Sequence, residues 1–128
     1  MNTIRFKVEG IPRPKQSFKY RNGGGYTPPL TRAWQDMVTA RAKEAMALHG
    51  WDKIEGPVHL ILEFCLLSSK RMDVDNLAKC VSDGLRHVCF TDDNQVTYLE
   101  VSKGIVFDWT GVRVTVEPTD CGRELFSK

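Results

Sequence analysis

The residues best suited to chemistry are grouped in one segment, 71–79, which carries Asp73, Asp75 and Lys79. A second acidic pair, Asp92 and Asp93, follows a short way downstream. Three or four carboxylates with one amine are the ingredients of a magnesium site that hydrolyses phosphodiesters. No other pattern in the sequence is as specific, so this one sets the first hypothesis about function.

The spacing of these residues predicts how they would be presented. Asp73 and Asp75 are two residues apart, so in an extended segment both carboxylates point the same way. If Asp75 begins a helix, Lys79 lies one turn further on and roughly above it. Asp83, one more turn along the same face, is either a partner that holds Lys79 in place or, more simply, a solvated surface acid.

Carboxylates gathered this closely repel one another, and Mg²⁺, or Mn²⁺ in its place, would relieve that repulsion. Magnesium usually takes only a few protein carboxylates, which leaves positions for phosphate oxygens and an attacking water. Lys79 would stabilise charge that develops on the phosphate or the leaving oxygen. For a shared site, Asp92 or Asp93 must return to the start of the helix through the fold.

The same residues also have an ordinary structural interpretation. Asp75 is a good N-cap residue, and Asp73 could be an acid in a loop. Lys79 could be a solvated helix residue, and segment 92–94 could simply be a turn. Spacing alone leaves both interpretations open.

A second candidate surface lies ahead of the first predicted helix, between residues 13 and 26. Cations alternate there with aromatic rings, and three glycines at 23–25 would let the backbone approach a ligand closely. Cations for phosphates and rings for unstacked bases are the components of a nucleic-acid surface. The alternative is a solvated loop whose rings pack into the core. The predicted DNA-binding cations are Arg13, Lys15, Lys19 and Arg21, and the rings are Phe18, Tyr20 and Tyr26.

Composition and charge limit the class of protein. With 128 residues, 41% of them hydrophobic and 27% charged, the chain is expected to form one domain, 1–128, with its own core. Residues 1–50 hold nine Lys and Arg against three Asp and Glu, whereas residues 51–128 hold nine against thirteen. This asymmetry suits a protein that holds a polyanion with one part and a metal with the other, although a solvated surface of uneven charge would give the same counts.

Membrane contact and a structural metal are not expected. No apolar run approaches the roughly 20 residues that span a bilayer, and the N-terminus lacks the regions of a signal peptide, so we expect a cytoplasmic protein. The four cysteines form no C-x-x-C pair and are expected to be reduced and mostly structural. His87 and Cys89 are close in sequence, but no second pair completes a zinc site.

The elements that must position these residues follow from the hydrophobic pattern. Thr31 is predicted to cap the first helix, Gly50 to stop it, and residues 11–30 to form a long loop before it. Asp108–Gly111 is predicted to be a hairpin turn between the last two strands. The predicted class is α+β, with one mixed sheet packed with two helices in the order βαβαββ. The predicted strands are 4–8, 58–67 (central), 96–107 and 112–116, and the predicted helices are 31–49 and 75–88.

The motifs resemble those of the RusA family of Holliday junction resolvases, which phages and prophages often carry. The resemblance covers the chain from the first strand to the start of the third, and the order and spacing of its motifs are quite specific. The matching motifs are Asp73-Val-Asp75-Asn76-Leu77-x-Lys79, Asp92-Asp93-x-Gln95-Val96, Gly10-Ile-Pro-Arg-Pro-Lys15 and Tyr26-Thr27-Pro28.

The resemblance implies a homodimeric, Mg²⁺-dependent endodeoxyribonuclease that cuts four-way DNA junctions by paired, symmetric incisions in DNA recombination and repair. Asp73, Asp75 and Asp93 then match the metal-binding acids, Lys79 matches the catalytic lysine, and Asp92 matches a neighbouring acid. A two-fold dimer suits a junction that has two equivalent strands to cut.

Two other functions are compatible with the sequence. One is a non-catalytic DNA-binding protein in which the acids serve only as caps and turns. The other is a metal-dependent nuclease that acts on other branched or flapped nucleic acids, because no single residue reads the geometry of a junction.

Overall fold

The computed structural model describes residues 3–15, 19–21, 24–67, 72–106 and 108–126, with only the backbone described for 19–21 and 24–26. Two short 3₁₀ helices lie at Asp93–Gln95 and Arg123–Phe126. In chain order, the other elements are β1 (Ile4–Glu9), β2 (Lys19–Arg21), β3 (Gly24–Tyr26), α1 (Pro29–His49), β4 (Val58–Leu66), α2 (Val74–Leu85), β5 (Val96–Ile105) and β6 (Gly111–Pro118).

The main sheet has four strands in the order β1-β6-β4-β5. Strand β4 is parallel to β5 and antiparallel to β6, and β1 is antiparallel to β6. The sheet is therefore mixed, and with α1 and α2 it confirms the predicted α+β class and the order βαβαββ. No helix in the described ranges is long and apolar enough to cross a membrane.

A small antiparallel hairpin, β2–β3, lies in the segment predicted to be a long loop. The register pairs Lys19 with Tyr26 and Arg21 with Gly24. The prediction of a loop over 11–30 is therefore wrong for these residues. Two strands of three residues each carry too little periodicity to stand out among prolines and glycines.

The predicted hairpin between the last two strands is wrong. Strand β4 lies between β5 and β6, so the chain crosses the end of β4 instead of turning back on itself. Val106 N–H donates to the Leu66 carbonyl (2.7 Å), and Thr110 Oγ1 donates to the Cys65 carbonyl (3.0 Å), which fastens the crossing segment to β4. Residue 107, predicted as the end of β5, lies outside the described residues.

The prediction that β4 is the central strand is confirmed. Leu60, Leu62 and Phe64 are buried on the face that carries the helices, whereas His59 and Ile61 on the other face are only partly buried. The apolar run predicted that both faces of β4 would be covered, but the face that carries His59 and Ile61 is covered only in part. Pairing on both edges, which no residue pattern reports directly, is what makes the strand central.

Both helices begin earlier than predicted. Helix α1 begins at Pro29, because proline is well suited to a first helical turn, so the predicted cap Thr31 lies inside the helix. It ends at His49, because Gly50 after it has the left-handed conformation (φ 66°). Helix α2 begins at Val74 with Asp73 in the N-cap position, and it ends at Leu85 because Arg86 is extended (ψ 139°).

Close contact with α1 fixes the position of α2. A Cβ added at Gly84 would lie 3.0 Å from the Gln35 carbonyl oxygen and 3.1 Å from Val38 Cγ1. Thr39 Oγ1 donates to the Gly84 carbonyl (2.7 Å). Glycine lets the two backbones approach, and the threonine sets their register.

The cysteines differ in their exposure, and this predicts their reactivity. Burial raises the pKa of the Cys80 thiol to about 11 and that of Cys89 to about 12, and it also raises the pKa of Cys65. Cys121 is exposed. Because the thiolate is the reactive form, a disulfide reagent at pH 8 should label one thiol of the native protein quickly and the other three only after unfolding. Rapid labelling that persists in Cys121→Ser would contradict this assignment.

The same burial makes stability depend on alkaline pH. The unfolded state releases thiol protons from about pH 9, whereas the folded state retains those of Cys80 and Cys89. The contribution of these two thiols to the free energy of unfolding is therefore fully present below pH 9. It is lost as the pH rises towards 12, by up to about 1.4 kcal/mol per pH unit for each thiol. Urea titrations of wild type and Cys89→Ala between pH 8 and 10.5 should give a shallower decline for the variant.

Candidate active site

A groove of about 310 Å³ lies between α2 and the edge of the sheet. One wall is a stripe of α2 residues spaced three or four apart, and the other wall comes from β4, β5 and the turn before β5. Asp75 and Asp83, at the two ends of the helical stripe, are eight residues apart, so the groove extends roughly 12 Å along the helix. Its lining residues are Leu60, Asp75, Ala78, Lys79, Ser82, Asp83, Asp93, Val96 and Leu99.

Asp75 and Lys79 occupy the same face of α2, as their spacing predicts. Asp75 is the second residue of the helix, where the positive end of the helix dipole stabilises a carboxylate. Its Oδ1 accepts from the Asn76 backbone N–H (3.0 Å), which leaves the other oxygen for a ligand. Both side chains are exposed, so a phosphate in the groove could reach them.

Asp73 lies just before the helix and is not among the residues that line the groove. Its backbone is extended, but Asp75 is already helical, so the strand-like alternation expected to align the two carboxylates does not apply. The Asp73 side chain makes no capping hydrogen bond. Lys103 Nζ donates to the Met72 carbonyl (2.6 Å), which ties the segment before Asp73 to β5.

In the turn before β5, Asp92 and Asp93 lie in different surroundings. Asp92 is the N-cap of the 3₁₀ helix, and its Oδ1 accepts from the Asn94 backbone N–H (3.1 Å). Asp93 is the first residue of that helix, and it lines the groove opposite α2. The fold thus brings Asp93 into the groove that Asp75 and Lys79 line, and it gives Asp92 a structural role.

Gln95 holds this turn in place, a role that sequence reasoning missed. Its Oε1 accepts from the backbone N–H groups of Thr91 (2.8 Å) and Asp92 (3.0 Å). Its Nε2 donates to the carbonyls of Ile54 (2.8 Å) and Gly56 (3.1 Å). All the hydrogen-bonding capacity of a side-chain amide is used, and the residue is only 6% exposed. The Gln95-Val96 part of the motif was the available signal.

The donor set fits a hard cation. Asp75 and Asp93 supply carboxylate oxygens to one groove, and magnesium is commonly held by one or two carboxylates together with water and substrate phosphate. Within the ranges that the structure describes, no three His, Cys, Asp or Glu side chains are grouped closely enough to hold one metal ion. The triad of Asp73, Asp75 and Asp93 therefore stays a prediction.

The predicted DNA-binding cations lie in different surroundings. Lys15 Nζ forms an ion pair with Asp83 Oδ2 (2.8 Å), and Arg13 is half-buried. The side chains of Lys19 and Arg21 lie outside the described residues. The expectations that Asp83 either holds Lys79 or is a solvated acid are both wrong, since its partner is Lys15 and its side chain is only 18% exposed.

An α+β domain with carboxylates and a lysine along one groove carries the residue types of a phosphodiester hydrolase. The family model described as Endodeoxyribonuclease RusA matches residues 9–117, and the chain belongs to this family. No curated protein sequence matches the chain. The matched range contains the groove and the segment that leads to the β2–β3 hairpin, so the family supports nuclease activity on DNA for this chain.

Proposed function

We propose that the protein is a metal-dependent endodeoxyribonuclease that resolves four-way DNA junctions by paired, symmetric incisions in recombination and repair. The observation that carries this proposal is the groove in which Asp75, Lys79 and Asp93 meet, in a chain of the RusA endodeoxyribonuclease family. The exposed groove lies beside the segment that leads to the basic hairpin. A DNA strand bound across the hairpin and the groove could therefore place a backbone phosphate in the groove.

Each groove residue has a distinct task in the proposed reaction. Asp75 and Asp93 and, by the family resemblance, Asp73 would hold Mg²⁺ or Mn²⁺. When bound, that ion would supply Lewis-acid polarisation of the phosphate and a nucleophilic water. The Lys79 ammonium lies one helical turn from Asp75 and presents positive charge to the phosphate or the leaving oxygen. Leu60, Val96 and Leu99 form the apolar floor, which limits the water that competes for these charges.

The experiment that tests the proposal compares DNA substrates. Purified protein is incubated with a synthetic four-way junction, a linear duplex and a flap, with Mg²⁺, Mn²⁺ or EDTA, and the product ends are mapped. Paired nicks at symmetric positions, only with metal, are the expected result. Junction binding without cleavage in both metals would favour a non-catalytic DNA-binding protein, and preferred cleavage of the flap would favour a nuclease for other branched DNA.

We also propose that two copies associate beside β5. In the described part of the chain, this ten-residue strand is the last of the main sheet, with β4 on its inner side. Tyr98 and Ile105 on it are 44% and 53% exposed. A two-fold axis beside β5 would cover these side chains and provide one groove for each strand to be cut.

Ile105→Lys is expected to shift the protein from dimer towards monomer in sedimentation velocity, because the contact would have to bury an unpaired charge. Leu48→Lys is the matched control, since Leu48 is an exposed apolar residue on α1 (85%) remote from this edge. If both variants keep the wild-type sedimentation coefficient, the β5 edge is not the interface.

A further inference from the structure

The Lys15–Asp83 ion pair differs from the exposed ion pairs of this protein. The two side chains are only 27% and 18% exposed and their charged atoms are 2.8 Å apart. In the pair between Arg123 and Asp120, the side chains are 71% and 90% exposed. A pair that has lost most of its water contributes more than an exposed one, and leaving one partner uncompensated is costly.

The segment that carries Lys15 is attached to α2 at two points. The Lys15 backbone N–H donates to the Asn76 carbonyl (2.9 Å) in the first turn of α2, and its ammonium reaches Asp83 in the last turn. These points are seven residues apart, roughly 10 Å along the helix axis. They therefore fix the direction of the segment as well as its position. Pro12 and Pro14 stiffen the approach to Lys15 by fixing their φ angles.

We propose that Asp83 is a positioning residue for DNA, which acts through Lys15. Asp83 lines the groove beside Lys79 and Asp93, so it holds Lys15, in the segment that leads to the β2–β3 hairpin, against the helix that carries the reactive groups. The ion pair thereby holds the segment before the basic hairpin in a fixed position relative to the groove. A DNA strand bound by the hairpin then places its phosphate at Lys79. This inference rests on the proposed function.

An alternative role for the pair predicts the opposite effect on affinity. If Asp83 merely occupied a phosphate-binding lysine, Asp83→Asn would free Lys15 and tighten DNA binding. If Asp83 positions the hairpin, Asp83→Asn and Lys15→Met should both weaken binding, because either change releases the same attachment. Their effects should also not add in the double variant, since each removes one member of a single contact.

The test measures KM and kcat for junction cleavage with Asp83→Asn, Asp83→Glu, Lys15→Met and the double variant. Asp120→Asn, which breaks the exposed pair, is the matched control. We expect Asp83→Asn and Lys15→Met each to raise KM about fivefold to tenfold with kcat within about threefold, the double variant to resemble the single ones, and Asp83→Glu to restore much of the loss. Amide hydrogen exchange of the free protein should show faster exchange at Lys15 in Asp83→Asn.

Each outcome bears on the inference separately from the proposed function. A wild-type protein that cuts no DNA would overturn the proposed function. Even with such a protein, unchanged amide exchange at Lys15 in Asp83→Asn would overturn the inference that Asp83 holds the segment of Lys15 against α2. With an active wild type, a lowered KM in Asp83→Asn or fully additive effects would also overturn the positioning role. If Asp83→Asn does not fold, amide exchange at position 15 in Lys15→Met decides the question, since faster exchange supports the positioning role and unchanged exchange overturns it.

Discussion

Asp93→Asn is expected to lower the rate of junction cleavage by about a thousandfold, whereas Asp92→Asn keeps most of the activity. Asp93 lines the groove with Asp75 and Lys79, so the amide removes one of the charges that would hold the metal. Asp92 instead caps the 3₁₀ helix, and asparagine is an equally good cap. Single-turnover cleavage in Mg²⁺ measures the rates, and thermal melts check that both variants fold.

Two further variants separate catalysis from stability. Asp75→Asn should also abolish cleavage while leaving junction binding largely intact, because in the proposed reaction the exposed carboxylate would bind the metal. Asp92→Ala should cost about 1 kcal/mol of unfolding free energy through loss of the cap, with cleavage at low temperature preserved. Equal losses of activity in Asp92→Asn and Asp93→Asn would mean that the groove does not define the catalytic acids.

The sequence could predict the Asp75–Lys79 pair because helical periodicity is local. It could not separate Asp92 from Asp93 by chemistry, since two adjacent carboxylates differ only in the direction that the turn gives them. The capping bond of Asp92 and the groove position of Asp93 depend on the 3₁₀ helix that follows. Only the family resemblance favoured Asp93, and the groove supports that choice.

Features that depend on the order of strands were not predictable from local patterns. Asp108–Gly111 has the composition of a hairpin turn, yet β5 and β6 are separated by β4. The composition of a turn indicates only the local backbone conformation, whereas the pairing of β5 and β6 with β4 depends on how the whole sheet packs. The contact between Lys15 and Asp83 is equally long-range, because it joins the segment before β2 to a helical residue 68 positions later.

Gln95→Met is expected to lower the free energy of unfolding by about 3 kcal/mol, the largest stability effect we predict for the site. Methionine has a similar volume, but it leaves the carbonyls of Ile54 and Gly56 and the N–H groups of Thr91 and Asp92 without their partners. Urea titration measures this loss, with the neighbouring exposed residue changed in Asn94→Ala as the control.

The larger consequence of Gln95→Met is expected in catalysis, because Gln95 holds the turn that carries Asp93. Loosening that turn spreads the carboxylate over many positions, and a displacement of about 1 Å can cost two orders of magnitude in rate. Val8→Ala, which truncates a buried core residue on β1 at the opposite end of the sheet from β5, is the comparison, since it should lose about 2–3 kcal/mol without touching the turn or α2. Measured at a temperature where both variants are folded, Gln95→Met should cleave at least about tenfold more slowly than Val8→Ala. Equal rates would show that Gln95 contributes stability alone, and that the position of Asp93 is set by the strand β5 that follows it.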